Sequence, residues 1–179
     1  MSFIFIIALT FCVEIASTAF NIEDKNRWGR NFIFVCTLAA GQGLMYLLGS
    51  LLGGTFMHTV ERFSEIVVIV LCFVIAFRMI LDTLKIKSGK NLFLIDDLKH
   101  LVFLAIALGF NALIAGLMAN EPFLPLFGKI TPLYIIAASL CWGIIGISTK
   151  FSPIKLIINS LINMIMALAV LASGIMAII

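Results

Sequence analysis

Charged residues are scarce in this chain. Of its 179 residues only 12% are charged, whereas 63% are hydrophobic. A water-soluble domain of this length needs more charged and polar side chains to cover its apolar core. The composition therefore excludes a soluble domain and predicts an integral membrane protein that has the lipid bilayer as its first partner.

The sequence also lacks the motifs of enzyme chemistry. It contains no HExxH zinc motif, no glycine-rich phosphate loop and no GxSxG motif. Its two histidines and four cysteines do not have the spacing of a metal cluster, and the cysteines are interpreted as free thiols that act as small apolar side chains. No large basic patch is available for nucleic acid. We therefore expect no enzyme activity, no cofactor and no nucleic-acid partner.

Apolar residues are concentrated in six long segments. A membrane-spanning helix needs about 20 such residues, and its backbone groups must be satisfied within the segment. The predicted fold class is therefore an all-α polytopic membrane protein with six transmembrane helices in a single membrane domain. The segments, numbered 1 to 6, lie at about 3–21, 31–57, 63–84, 101–119, 131–149 and 154–177.

Basic residues are distributed unevenly between the two sides. Nine of the twelve Lys and Arg residues lie in the connections that follow segments 1, 3 and 5 or, for Lys155, at the start of segment 6. The opposite side carries only Arg62 and Lys129. Because cytoplasmic loops are enriched in Lys and Arg, both termini are predicted to lie outside the cytoplasm. The expected location is the cell inner (plasma) membrane, with multiple passes.

The connection at 85–100 is the longest and most charged, and it divides the chain into two halves of three segments. The halves comprise about 1–84 and about 101–179. With an odd number of spans in each half, the second half runs inverted relative to the first. Many small transporters are built in this way. We therefore expect two inverted repeats joined by a cytoplasmic loop.

One acidic residue, Glu14, lies inside the apolar segment 1, in "FCVEIASTAF". Ionisable residues within a membrane span are rare and are functional hypotheses by default. Three states are open for Glu14. It binds a cation, it is protonated and hydrogen-bonded, or it forms an ion pair with Arg78, which is predicted at a similar depth.

Arg78 and Asp82 are the other ionisable residues within a predicted span. In "AFRMILD" they are four residues apart, so they share a helix face and can pair. We predict an ion pair or a gating pair. A bland interpretation remains for Arg78, because a long side chain near the end of a span can extend to the headgroups.

Two amides complete the candidate site. Gln42 is flanked by glycines in "AAGQGLMYLLGSLLGG", and Asn111 lies in "LGFNALIAG", where it echoes the position of Glu14 in the first half. By helical rise, Glu14 is ~10 Å and Asn111 ~15 Å from the cytoplasmic ends of their helices. Both depths are near the middle of the membrane. Function and helix packing are both open for the two amides.

The four stretches "FCVEIASTAF", "GQGLMYLLGSLLGG", "AFRMILDTLK" and "IALGFNALIAGLMA" resemble the MntP-type manganese efflux pumps of the LysE transporter superfamily. The resemblance implies that Glu14, Gln42 and Asn111 stand where this family has membrane acids. Only Glu14 is acidic here. It implies an ion-binding site of these three residues, with Glu14 and Asn111 as metal ligands.

The function implied by this resemblance is a small secondary transporter that exports a divalent cation of the Mn²⁺ type in exchange for protons, with Glu14 titrating. The alternative is a non-transporting structural or anchoring subunit built on a transporter-like fold. Either a homodimer or a partner in a membrane complex is compatible with the sequence.

Overall fold

The computed structural model describes residues 2–20, 28–59, 61–87, 98–119, 130–148 and 153–176. All regular structure in these ranges is helical. The connections at 88–97 and 120–129, and with them most of the predicted cytoplasmic loop, lie outside the described residues. The α-helices are α1 (Ser2–Thr10), α2 (Cys12–Phe20), α3 (Trp28–Thr59), α4 (Ser64–Lys87), α5 (Leu98–Leu117), α6 (Thr131–Ser148) and α7 (Pro153–Met176), and a 3₁₀ turn at Glu61–Phe63 precedes α4.

The helices agree with the six predicted segments to within about three residues at each end, the usual uncertainty of helix boundaries. Four of them are long and apolar enough to cross a membrane, at Gly29–Thr59, Ser64–Leu84, Thr131–Ser148 and Ile157–Met176. Ile4–Thr18 and Leu101–Leu117 are shorter apolar helical stretches. The protein is thus an all-helical, multi-pass membrane protein.

Segment 1 is interrupted, although the sequence predicts one continuous helix there. α1 ends at Thr10 and α2 begins at Cys12. The hydroxyl of Thr10 donates to the carbonyl oxygen of Ile6 at 2.9 Å, a contact that often bends helices. After the break, the amide of Glu14 donates to the carbonyl of Phe11 at 3.0 Å, in the tighter 3₁₀ pattern. The chain is therefore irregular immediately before Glu14.

The helices pack in a defined set of pairs. α3 makes its most extensive contact with α5, and it also packs on α6. α4 packs on α7, and the two parts of segment 1 pack mainly on α6 and α7. Large apolar side chains such as Leu51 (75% exposed) and Phe103 (70%) cover the outer surface. This surface suits lipid rather than water.

The buried apolar side chains form two separate clusters. One cluster includes Leu9 of α1, Tyr46 of α3 and Ile135 of α6. The other includes Val13 of α2 and Leu38 of α3. Since Leu9 and Val13 lie on either side of the break in segment 1, the boundary between the clusters passes through that break.

Candidate functional site

Polar residues occupy the boundary between the two apolar clusters, here called the polar level. On α3, Gln42 lies one turn from Leu38 of one cluster and one turn from Tyr46 of the other. Each helix that packs around Gln42 shows the same order along the chain. Residues of one apolar cluster are followed by a polar residue and then by residues of the other cluster. The residues of the polar level are Thr10, Gln42, Asn111 and Ser139, all of them buried.

Gln42 joins three helices at this level. Its Nε2 donates to the carbonyl oxygen of Leu108 on α5 at 3.1 Å and lies 3.3 Å from Sγ of Cys12 on α2. The side chain is fully buried. The amide nitrogen is thus satisfied by the two neighbouring helices, and Gln42 holds α2, α3 and α5 together.

Three oxygens of the polar level have no hydrogen-bond donor within the described part of the chain. They are Oε1 of Gln42, Oδ1 of Asn111 and Oγ of Ser139. Asn111 lies three residues after Leu108, so it shares the face of α5 that Gln42 contacts. A buried acceptor without a donor costs about 1–3 kcal/mol, and such groups call for an explanation. Oxygens of this kind are available to a ligand.

Glu14 has two partners, both on α7. Its Oε1 lies 3.7 Å from Nζ of Lys155 and accepts a hydrogen bond from Nδ2 of Asn159 at 3.3 Å. The side chain of Glu14 is 6% exposed and that of Lys155 is 18% exposed. The carboxylate therefore forms a largely buried ion pair, which is stable only because both charges are paired and bonded.

Lys155 also binds the helix that carries Glu14. Its Nζ donates to Oγ1 of Thr18 at 3.4 Å. Thr18 lies one turn after Glu14, so both oxygens face the same ammonium group. Glu14, Thr18, Lys155 and Asn159 are called the Glu14 cluster below.

Arg78 lies apart from the Glu14 cluster. Its guanidinium donates to the carbonyl oxygen of Ala107 and stacks over the ring of Phe110, with Cζ 4.9 Å from the ring centroid. The ion-pair partner that the structure gives to Glu14 is Lys155 and not Arg78. Asp82, one turn farther along α4, is partly buried.

The predicted site residues therefore fall on two sides of α2. Residues two apart on a helix point in nearly opposite directions. Cys12 contacts Gln42 on α3, and Glu14 contacts Asn159 on α7. Gln42 and Asn111 belong to the polar level, and Glu14 belongs to its own cluster next to it.

A metal ion at this centre would have few charged ligands. Among the described residues, no group of three or more His, Cys, Asp or Glu side chains is placed to hold a metal. The available donors are one carboxylate and several amide and hydroxyl oxygens. Hard divalent cations accept such oxygen ligands, although fewer carboxylates make a weaker site.

Sequence reasoning did not assign Lys155, Asn159 and Thr18 to the site. Lys155 was counted as a loop charge, although it lies in the first turn of α7. A signal was present, because Lys155 and Asn159 are four residues apart and share a helix face with Asn163. Asn163 uses that face to bind the carbonyl of Met79 at 3.0 Å.

The comparisons with known proteins gave one match. A family described as "Putative manganese efflux pump", Mntp, matches residues 25–174. The matched range contains Gln42, Arg78, Asp82 and Asn111 and begins after Glu14. No curated protein and no solved structure matches the chain.

Proposed function

The chain belongs to the MntP family of manganese efflux pumps, and we propose that it exports Mn²⁺-type divalent cations across the inner membrane in exchange for protons. The observation that carries this proposal is the carboxylate of Glu14. Among the described residues, Glu14 is the one buried carboxylate. It supplies the negative charge that a cation in transit needs and a group that can take up a proton after the cation leaves.

The remaining ligands of the proposed path are neutral oxygens. The unpartnered oxygens of Gln42 and Asn111 lie on neighbouring helices at the polar level. Together with Glu14 they form the ion-binding set, which the cation contacts in succession because Glu14 faces the other side of α2, with Glu14 and Asn111 as metal ligands. Arg78 is proposed to gate α4 against α5, since it binds the Ala107 carbonyl of α5.

The pairing of the helices supports an inverted repeat of about 1–84 and 101–179. Under such a repeat, segments 1, 2 and 3 exchange with segments 4, 5 and 6. The contact between segments 1 and 5 (α6) then corresponds to the contact between segments 4 (α5) and 2 (α3), and both contacts are extensive. The contact of α4 with α7 joins segments 3 and 6, and that of α3 with α6 joins segments 2 and 5. Each joins two segments that the repeat relates to each other, so the repeat leaves both contacts unchanged. We propose this repeat, with both termini outside the cytoplasm.

The transport proposal is tested with purified protein in lipid vesicles. We expect Mn²⁺ uptake above that of protein-free vesicles, and uptake several-fold faster when the lumen is acidic, because protons leaving the lumen drive Mn²⁺ inward. A proton ionophore should abolish the acceleration. If Mn²⁺ uptake does not depend on the pH gradient, the proposed proton coupling is wrong, whereas the proposed Mn²⁺ transport stands.

A second candidate function is a non-transporting subunit of a membrane complex. The Glu14–Lys155 pair favours it, because the pair neutralises the only buried carboxylate of the described residues. Absence of Mn²⁺ uptake in the vesicle experiment, together with copurification of another membrane protein in mild detergent, is the result that this candidate predicts.

Replacing Gln42 by the nearly isosteric Met separates ion binding from packing. Met loses the hydrogen bond to the Leu108 carbonyl, worth about 0.5–1.5 kcal/mol, and also removes a buried acceptor without a donor, which costs about 1–3 kcal/mol, so the two effects offset each other. We expect the folded yield of Gln42→Met to match the wild type and its Mn²⁺ uptake to fall about tenfold, equivalent to about 1.4 kcal/mol.

The matched control for this variant is Thr37→Val, which removes an exposed hydroxyl that binds only its own helix, at Ile33. It should leave uptake unchanged. Unchanged uptake in Gln42→Met as well would assign Gln42 to helix packing.

A further inference from the structure

We propose that the ammonium group of Lys155 occupies the cation position beside Glu14, and that the transported cation must displace it in order to bind. Lys155 is thus a tethered competitor that determines which cations the site accepts. The inference deepens the proposed function and rests on it. Neither the family match nor the sequence pattern assigns a role to Lys155.

The ammonium nitrogen Nζ of Lys155 faces polar side chains of α2. It lies 3.7 Å from Oε1 of Glu14 and 3.4 Å from Oγ1 of Thr18, two oxygens presented one turn apart by α2. Asn159 directs its amide toward the same Oε1, at 3.3 Å. The carboxylate is therefore engaged by two donors in this state, and a cation from outside meets an occupied site.

The helix ends favour a cation at this place. α2 ends at Phe20, so Thr18 is in its last turn, where the helix dipole stabilises positive charge. Lys155 is in the first turn of α7, where the dipole of its own helix disfavours positive charge. Of the two helix ends, that of α2 therefore provides the more favourable electrostatic environment for the ammonium group.

The exposure of the pair gives the direction of access. The side chain of Lys155 is 18% exposed and that of Glu14 is 6% exposed. Lys155 is thus the more accessible member of the pair, and we place the entry for a cation on its side. A cation that enters from this side reaches Glu14 only after the ammonium group has moved aside.

Competition with the ammonium group of Lys155 favours cations of higher charge. A monovalent ion replaces one positive charge by another, whereas a divalent ion doubles the attraction to Glu14. Once the ammonium group has left, rotation of the Asn159 amide brings its Oδ1 toward the cation. The cluster then offers carboxylate, amide and hydroxyl oxygens, which are the ligands of hard divalent cations.

The test measures Mn²⁺ binding to the purified full-length chain by electron paramagnetic resonance. Lys155→Met keeps the length of the side chain and removes its charge. We expect it to tighten Mn²⁺ binding about tenfold and to let monovalent ions compete more strongly. Arg62→Met, which removes an exposed charge outside the cluster, should bind Mn²⁺ like the wild type.

In a Glu14→Gln background the Lys155→Met change should have no effect on Mn²⁺ affinity, since the carboxylate for which the two cations compete is gone. Mn²⁺ binding by Lys155→Met that equals or falls below the wild type would overturn the proposal.

A second measurement avoids the risk that Lys155→Met fails to fold. In the wild type, labelling of Lys155 by an amine-reactive reagent should become several-fold faster when Mn²⁺ is added, as the ammonium group is displaced. An unchanged rate would contradict the proposal.

Failure of the transport proposal can be distinguished from failure of the proposed role of Lys155. Labelling of Lys155 without metal should be faster in Glu14→Gln than in the wild type, whether or not the protein transports Mn²⁺. If wild-type vesicles take up no Mn²⁺, the transport proposal falls. If they do take it up and Lys155 labelling ignores both Mn²⁺ and Glu14→Gln, only the role of Lys155 falls.

Discussion

Glu14→Gln is expected to lower Mn²⁺ uptake into vesicles about a hundredfold or more, because the site loses the charge that attracts the cation, which costs at least ~3 kcal/mol. Gln has the shape of Glu and keeps an oxygen that accepts from Asn159 at the position of Oε1. The loss therefore tests the charge of Glu14 rather than its packing. The measurement is the initial rate of uptake at equal amounts of folded protein.

Glu65→Gln is the matched control for this change. Glu65 lies exposed in the first turn of α4, away from the cluster. The same chemical change there should leave uptake unchanged. Equal uptake by Glu14→Gln and Glu65→Gln would exclude Glu14 from the transport path.

The double variant Glu14→Gln, Lys155→Met removes a structural ambiguity. Glu14→Gln alone removes the carboxylate that faces the ammonium group of Lys155, and removing one partner of a buried ion pair destabilises a protein by up to about 3–5 kcal/mol. Replacing both residues removes both charges. We expect the double variant to recover thermal stability and to remain inactive. Recovery of uptake together with stability would show that the pair is structural and that transport does not need the charge of Glu14.

The spans were predictable from the sequence because hydropathy reports directly on the bilayer. α4 and α7, for example, follow the predicted segments closely, since each is a long apolar run bounded by polar residues. The predicted depths of Glu14 and Asn111 rest on the same reasoning. The break at Phe11 was not predictable, because a threonine such as Thr10 bends some helices and is accommodated without a break in others.

The partner of Glu14 was not predictable from the sequence. Lys155 lies 141 positions later, and hydropathy does not tell which helix faces which. Similar depth suggested Arg78, yet Arg78 turns to α5 and Phe110. The family match also could not supply the pair, because its range of 25–174 begins after Glu14. Only the packing of α2 near α7 brings Glu14, Lys155 and Asn159 together.

The helix pair that carries Gln42 and Asn111 should depend strongly on Gly49 and Gly116. In the extensive contact between α3 and α5, these glycines face each other. A Cβ added at Gly49 would overlap the carbonyl of Leu113, and one added at Gly116 would overlap the carbonyl of Tyr46. Both obstacles are backbone atoms, which a side-chain rotation cannot move away. In membranes, small residues at such positions allow helices to approach closely.

We therefore expect Gly49→Val or Gly116→Val to destabilise the protein by about 3 kcal/mol or more, since overpacking usually costs ~1–3 kcal/mol before the backbone has to move. The measurement is thermal unfolding in detergent. Gly29→Ala is the matched control, because no atom lies within 4 Å of a Cβ added there. Alanine is a better helix former than glycine, by about 0.5–1 kcal/mol, so this control should match or exceed the wild-type stability.

The same variants connect helix packing to transport. Separating α3 from α5 moves Gln42 away from the Leu108 carbonyl and from the face that carries Asn111. A milder change, Gly49→Ala, should therefore lower Mn²⁺ uptake more than it lowers stability. Uptake that falls only in proportion to the folded fraction would mean that the spacing of α3 and α5 does not set the geometry of the ion path. A loss of uptake in folded protein would show that the spacing of α3 and α5 sets the geometry of the part of the path that Gln42 and Asn111 line.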